Sequence, residues 1–115
     1  MCISAEMEWV AKLVPQLEGK LAPYVVEVDE IDDELMSIFL DEMNRLGKQL
    51  QQAFVQRDMQ GIRVVAHSIK GMGGTVGFPE LSVFGEELGS LAKKEQLEQI
   101  KLFVGGLDGW LNSEA

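Results

Sequence analysis

Residues 58–76 read DMQGIRVVAHSIKGMGGTV, and the spacing of apolar side chains in this stretch decides the fold. Ile62, Val65, Ala66, Ile69, Met72 and Val76 recur at helical intervals, which predicts an amphipathic helix with one face for a core. At roughly 100° per residue, His67 points about 165° away from the middle of that stripe. Arg63, Lys70, Gly71 and Gly74 share its outer face, and Asp58 is placed to cap the helix start. The chain's one histidine is thus expected on a solvent-facing surface with a lysine one turn along and little side-chain bulk around it.

The same period extends to both sides. Residues 32–56 carry Leu35, Ile38, Phe39, Leu46, Leu50, Ala53 and Phe54 as an apolar face, and Asp32, Asp33 and Glu34 suit the positive end of a helix dipole. Gly77-Phe78-Pro79 breaks the pattern, with Pro79 fitting the first turn of a third helix. That helix aligns Leu81, Phe84, Leu88 and Leu91 and ends near Lys93 and Lys94. A fourth, over residues 96–111, aligns Leu97, Ile100, Val104, Leu107 and Leu111, with Phe103 and Trp110 flanking. Gly105, Gly106 and Gly109 predict fraying or a bend there. No useful strand alternation appears, so the economical fold is all-α, an antiparallel up-down four-helix bundle over residues 31–115. Before it, residues 4–13 have helical character through Ile3, Met7, Val10 and Val14, Pro15 and Pro23 interrupt, and residues 24–29 look extended. Residues 1–30 are therefore expected as a short helix plus an extended arm packed on the bundle.

Composition narrows the function. One domain suits 115 residues with 46% hydrophobic and 25% charged content. A net charge of −9 without a basic cluster argues against nucleic acid. The single Cys2 fits a reducing compartment, Glu6 and Glu8 interrupt any secretion signal, and no apolar run reaches a membrane-spanning length. A soluble, cytoplasmic protein that does not act at membranes is expected. A lone histidine cannot build a metal site, and Ser68 has no visible triad. The run from Gly71 to Gly77 lacks the ending of a phosphate-binding loop, and the acidic residues 27–34 lack the spacing of a calcium loop. The methionines read as core filling.

Helical glycines cost about 0.5–1 kcal/mol each relative to alanine, so Gly71, Gly73 and Gly74 point to close approach by another backbone or a ligand; Gly71 and Gly74 flank His67 on the outer face, where that body is most simply another protein. Imidazole in water titrates near pH ~6.5 and is a good nucleophile near neutrality. Lys70 can hydrogen-bond an anion attached to the ring, and Arg63 adds to the positive field. In the unmodified protein the Lys70 ammonium is expected to be solvated and without a partner. Together these residues describe a phosphoryl acceptor.

Ala66-His67-Ser68-Ile69-Lys70-Gly71, followed by Gly77, Leu81 and Leu88, resembles the signature of histidine-containing phosphotransfer (HPt) domains. The match is a His-x-x-Lys-Gly run, a glycine ten residues after the histidine and leucines on the next helix, extending over residues 28–111. Gly89 departs from it, where many members have glutamate. The resemblance implies that His67 accepts a phosphoryl group from a receiver-domain aspartate and passes it to a second receiver, in partners such as a hybrid sensor kinase and a response regulator. It implies docking over Arg63, Gly71 and Gly74, Lys70 stabilising the phosphoryl group, magnesium on the receiver and no cofactor on this chain. It further implies a monomeric phosphocarrier that is not an enzyme in its own right. A helical adaptor that binds such partners without chemistry is the alternative, and a histidine kinase is too large for the residues left over.

Overall fold

The computed structural model describes residues 3–28 and 30–113; Cys2 and Asp29 lie outside the described residues. Helices are the only regular elements among them: two single-turn helices, α1 (Glu8–Ala11) and α2 (Leu17–Lys20), precede four long ones. These are α3 (Asp33–Val55), α4 (Met59–Thr75), α5 (Pro79–Lys93) and α6 (Leu97–Ser113). Single 3-10 turns occupy Ala5–Met7 and Ala22–Tyr24.

The polar signals that start the long helices act as capping chemistry requires. The Asp32 carboxylate accepts from the Leu35 N–H at 2.8 Å and that of Asp58 from the Gly61 N–H at 2.9 Å, while Pro79 occupies the first turn of α5. The three connections between long helices share one design. The residue two past each helix is left-handed, with φ of 56° at Arg57, 74° at Gly77 and 55° at Glu95. The next N–H then reaches back to a last-turn carbonyl: Asp58 to Ala53 at 2.9 Å, Phe78 to Gly73 at 2.9 Å and Gln96 to Leu91 at 3.0 Å. Each chain reversal therefore takes only a few residues, and its last residue caps or precedes the next helix.

α3 packs on α4 and α6, and α5 packs on the same two helices, so the four long helices enclose one core. Phe39, Met43, Leu46 and Leu50 of α3 meet Ile62 and Ile69 of α4, Leu81, Phe84 and Leu88 of α5, and Ile100 of α6 in that core. Each such side chain contributes about 1.5–3 kcal/mol of hydrophobic stabilisation. Two expectations for apolar faces are corrected. Ile38 is 58% exposed and Leu35 37%, because the buried line of α3 runs through Phe39, Met43 and Leu46. Phe103 and Trp110 belong to the core of α6 and do not merely flank it.

The N-terminal segment explains why α6 is buried so broadly. Trp9 stacks on Trp110 with ring centroids 5.6 Å apart and meets Phe84 edge-on at 5.2 Å. Gly106 lies beneath it: a Cβ there would stand 2.8 Å from Leu13 Cδ1 and 3.3 Å from Trp9 Cε3. α6 runs through Gly105, Gly106 and Gly109 to Ser113 as one helix, so it does not fray at these glycines. Met7, Val10 and Val14 are buried, as are Leu17 and Leu21 from the helical turns beyond Pro15. The Ser4 N–H donates to the Glu80 carboxylate at 2.8 Å, and Lys20 pairs with Glu87 at 2.7 Å, tying the segment to α5. Of the stretch expected to be extended, Val25 is so, whereas Tyr24, whose N–H bonds back to the Leu21 carbonyl, closes the 3-10 turn Ala22–Tyr24. Among the described residues, no helix is long and apolar enough to cross a membrane.

Candidate functional site

α4 presents His67 because Ile62, Val65, Ala66 and Ile69 are all buried around it in sequence, which fixes the rotation of the helix. His67 and Ser68 are exposed. The imidazole lines an open groove between α4 and α5 that also takes in Arg63 and Lys70 from α4, and Gly85, Glu86 and Lys93 from α5. Those charged side chains are three cations and one carboxylate, in a chain whose net charge is −9. The groove is thus a locally cationic place on an acidic protein, suited to a group that gains negative charge.

Its floor is built by a close helix crossing. A Cβ at Gly85 would stand 2.5 Å from the Ala66 carbonyl oxygen and 2.6 Å from the Lys70 nitrogen, so only glycine lets α5 approach the α4 backbone here. One turn away, the Ser82 hydroxyl donates to the Lys70 carbonyl at 2.8 Å. The backbone that carries Lys70 is therefore held from α5 by both packing and a hydrogen bond. Gly89, where the family resemblance called for glutamate, faces Ala66 across ordinary contact distance and leaves this part of the groove bare.

Lys70 differs from its expected state. Its ammonium is 2.8 Å from Glu86 Oε2 and 5.7 Å from the centre of the Tyr24 ring, and the residue is half-buried. The hydrogen bond to Glu86 raises the Lys70 pKa; partial burial opposes it, and the charges of Glu86 and Tyr24 add to the rise. The ammonium thus has partners in the unmodified protein. Glu86 was hidden in the sequence because the pairing depends on how α5 crosses α4, and Tyr24 because it arrives from the N-terminal segment.

The glycines of α4 divide by what stands behind them. Gly71 is open, with nothing near its missing side chain. Gly74 is half-covered, and a Cβ there would stand 3.9 Å from Val26 Cγ2 of the N-terminal segment, so the outer face is less bare than its composition implies. Neither lines the groove with His67; they lie further along the helix. Gly73 faces inward, where a Cβ would fall 2.6 Å from the Phe78 carbonyl oxygen and 2.7 Å from the Ser82 nitrogen. Its close neighbour is the chain's own next turn, the approach of another backbone that a helical glycine allows. Among the described residues no group of three or more His, Cys, Asp and Glu side chains converges as a metal site would require.

Compared with known families, residues 34–111 match the model of the Hpt domain. No curated protein and no solved structure gives a significant match.

Proposed function

We propose, on the premise that this chain belongs to the Hpt-domain family of histidine phosphotransfer proteins in two-component signalling, that His67 is the residue that carries the phosphoryl group. The observation that supports this most is an exposed imidazole sharing one cationic, glycine-floored groove with Lys70. In the forward step, the lone pair of a neutral ring nitrogen attacks the phosphorus of an aspartyl phosphate on a receiver domain. An N–P bond forms as the P–O bond to the aspartate breaks, and the carboxylate leaves with the electron pair. The other ring nitrogen keeps its proton, so no external base is needed. Attack by a second receiver's carboxylate reverses these events and passes the group on.

Lys70 stabilises the phosphorylated ring through a charge-assisted hydrogen bond, and Arg63 widens the positive field. Gly71, and Gly74 at the margin of the N-terminal segment, leave room for the docking partner. The magnesium that such a transfer uses sits on the receiver, and this chain serves as a monomeric phosphocarrier with no kinase or nucleotide chemistry of its own. The reading takes residues 31–115 as an antiparallel up-down bundle, which the three short connections favour, with residues 1–30 packed on it as an arm. It places the chain in the cytoplasm between the receiver of a hybrid kinase and that of a response regulator.

The test is incubation with phosphorylated receiver domains, comparing the parent with His67→Gln by label and by helical circular dichroism. The parent is expected to gain an acid-labile, base-stable label, and the variant to keep its helicity without one. An unlabelled parent that still binds receivers would make the chain an adaptor, and a labelled variant would move the acceptor elsewhere.

A further inference from the structure

Phosphorylation of His67 would ask Lys70 to serve an anion that is not there beforehand, yet Lys70 already has one. Its ammonium is 2.8 Å from Glu86 Oε2, with the Tyr24 ring on another side. Three constraints hold this arrangement: Gly85 brings α5 against the Lys70 backbone, Ser82 bonds the Lys70 carbonyl, and the segment bearing Tyr24 is tied to α5 by Lys20–Glu87. His67, Lys70 and Glu86 all line the same groove. A carboxylate and a phosphoryl group on His67 would therefore compete for one ammonium.

We propose that Glu86, assisted by Tyr24, parks Lys70 while His67 is unmodified, and that Lys70 leaves Glu86 for the phosphoryl group once His67 carries it. Glu86 is then a positioning residue, acting through Lys70, that makes the phosphohistidine less stable and so readier to give up its group. The inference rests on His67 being the acceptor. The Glu86–Lys70 pair is solvent-exposed enough, at 56% and 37% of the side chains, to exchange. A phosphoryl group, with nearly two negative charges, outcompetes one carboxylate without abolishing its pull. The raised pKa of Lys70 accords with a lysine charged throughout this exchange.

Phosphoramidate provides a test without any partner protein. The His67 ring nitrogen forms its N–P bond as the P–N bond of the zwitterionic donor breaks, and ammonia leaves with the electron pair. The half-life of the label is then compared in the parent, Glu86→Gln, Lys70→Ala, the double variant and Tyr24→Leu. Glu86→Gln should lengthen the half-life about two- to fivefold, the range one exposed ion pair can supply. Lys70→Ala should shorten it, and Glu86→Gln should have no further effect in the Lys70→Ala background. Tyr24→Leu should lengthen it by less than Glu86→Gln does. A parent that takes no label on His67 overturns the acceptor reading and this proposal with it. A labelled parent with an unchanged half-life in Glu86→Gln overturns the proposal alone. So does an effect of Glu86→Gln that persists undiminished without Lys70, since the carboxylate would then act on the phosphoryl group directly.

Discussion

α4 and α6 are both 17 residues long and both carry a cluster of glycines, yet the clusters do different things. On α4, Gly73 abuts the backbone of the following turn, and Gly71 opens to solvent on the helix that bears His67. On α6, Gly106 receives the side chains of Leu13 and Trp9, while Gly105 and Gly109 are open beside a shallow groove lined by Trp9, Trp110 and Glu6. That second groove is lined by neither a histidine nor a cation. A bare glycine face therefore marks a place where something can come close, and the residues beside it decide whether chemistry follows.

The largest effects are expected where backbone fills the space. Gly73→Ala and Gly85→Ala each put a Cβ within 2.7 Å of backbone atoms that no rotamer change can move. Each should lower unfolding stability by about 1–3 kcal/mol or more in urea titration. A loss below about 0.5 kcal/mol in both would show that the α4–α5 crossing relaxes freely, and the contrast with α6 would fail.

Gly106→Ala tests the softer contact. Leu13 and Trp9 can shift by rotation, so a cost of about 1 kcal/mol or less is expected, accompanied by a change in tryptophan fluorescence as Trp9 moves on Trp110. A cost matching that of Gly85→Ala would mean the N-terminal segment is as rigid as the helix crossing.

This contrast also shows what a sequence can carry. The period of α4, the caps Asp32 and Asp58 and the start at Pro79 were legible because each is a local rule applied within a few residues. The left-handed residues Arg57 and Glu95 were not, since only Gly77 announces such a conformation by its type. Ile38 looked like core because the helical wheel of α3 has no origin until its neighbours are known; 58% of it faces water. Leu17 and Leu21 follow a proline and lack a run long enough to show a period. At the site, His67, Lys70 and Arg63 lie on one helix and could be related by angle alone. Glu86, Gly85 and Tyr24 join them through tertiary crossing and could not.

The open glycines should respond oppositely to the closed ones. Gly71→Ala, Gly105→Ala and Gly109→Ala meet no atoms and should stabilise by up to about 1 kcal/mol, through helix propensity and a less flexible unfolded chain. Leucine at the same positions separates the two helices by function. Gly71→Leu should slow labelling by a phosphorylated receiver, whereas Gly105→Leu should leave it unchanged at equal helicity. Equal rates for both would mean that partners do not approach over the Gly71 face.

The smallest stability change is expected at Lys70, although its functional role is the more specific one. Its pairing with Glu86 is exposed, so Lys70→Ala should cost only roughly 0.2–1 kcal/mol at low ionic strength, and less in high salt. The pH dependence has a definite sign. The hydrogen bond to Glu86 raises the Lys70 pKa in the folded protein above the ordinary lysine value of 10.5. The folded state therefore holds that proton more tightly than the unfolded chain, and the stabilisation is complete below the ordinary lysine pKa. It disappears as pH rises through the folded value, so parent and Lys70→Ala should differ by a constant amount near neutrality and converge in strong alkali. Urea titrations of both proteins at neutral and alkaline pH check this. A gap that stays constant into alkali would trace the loss to the buried part of the lysine stem, and the ion pair would then contribute nothing to folding.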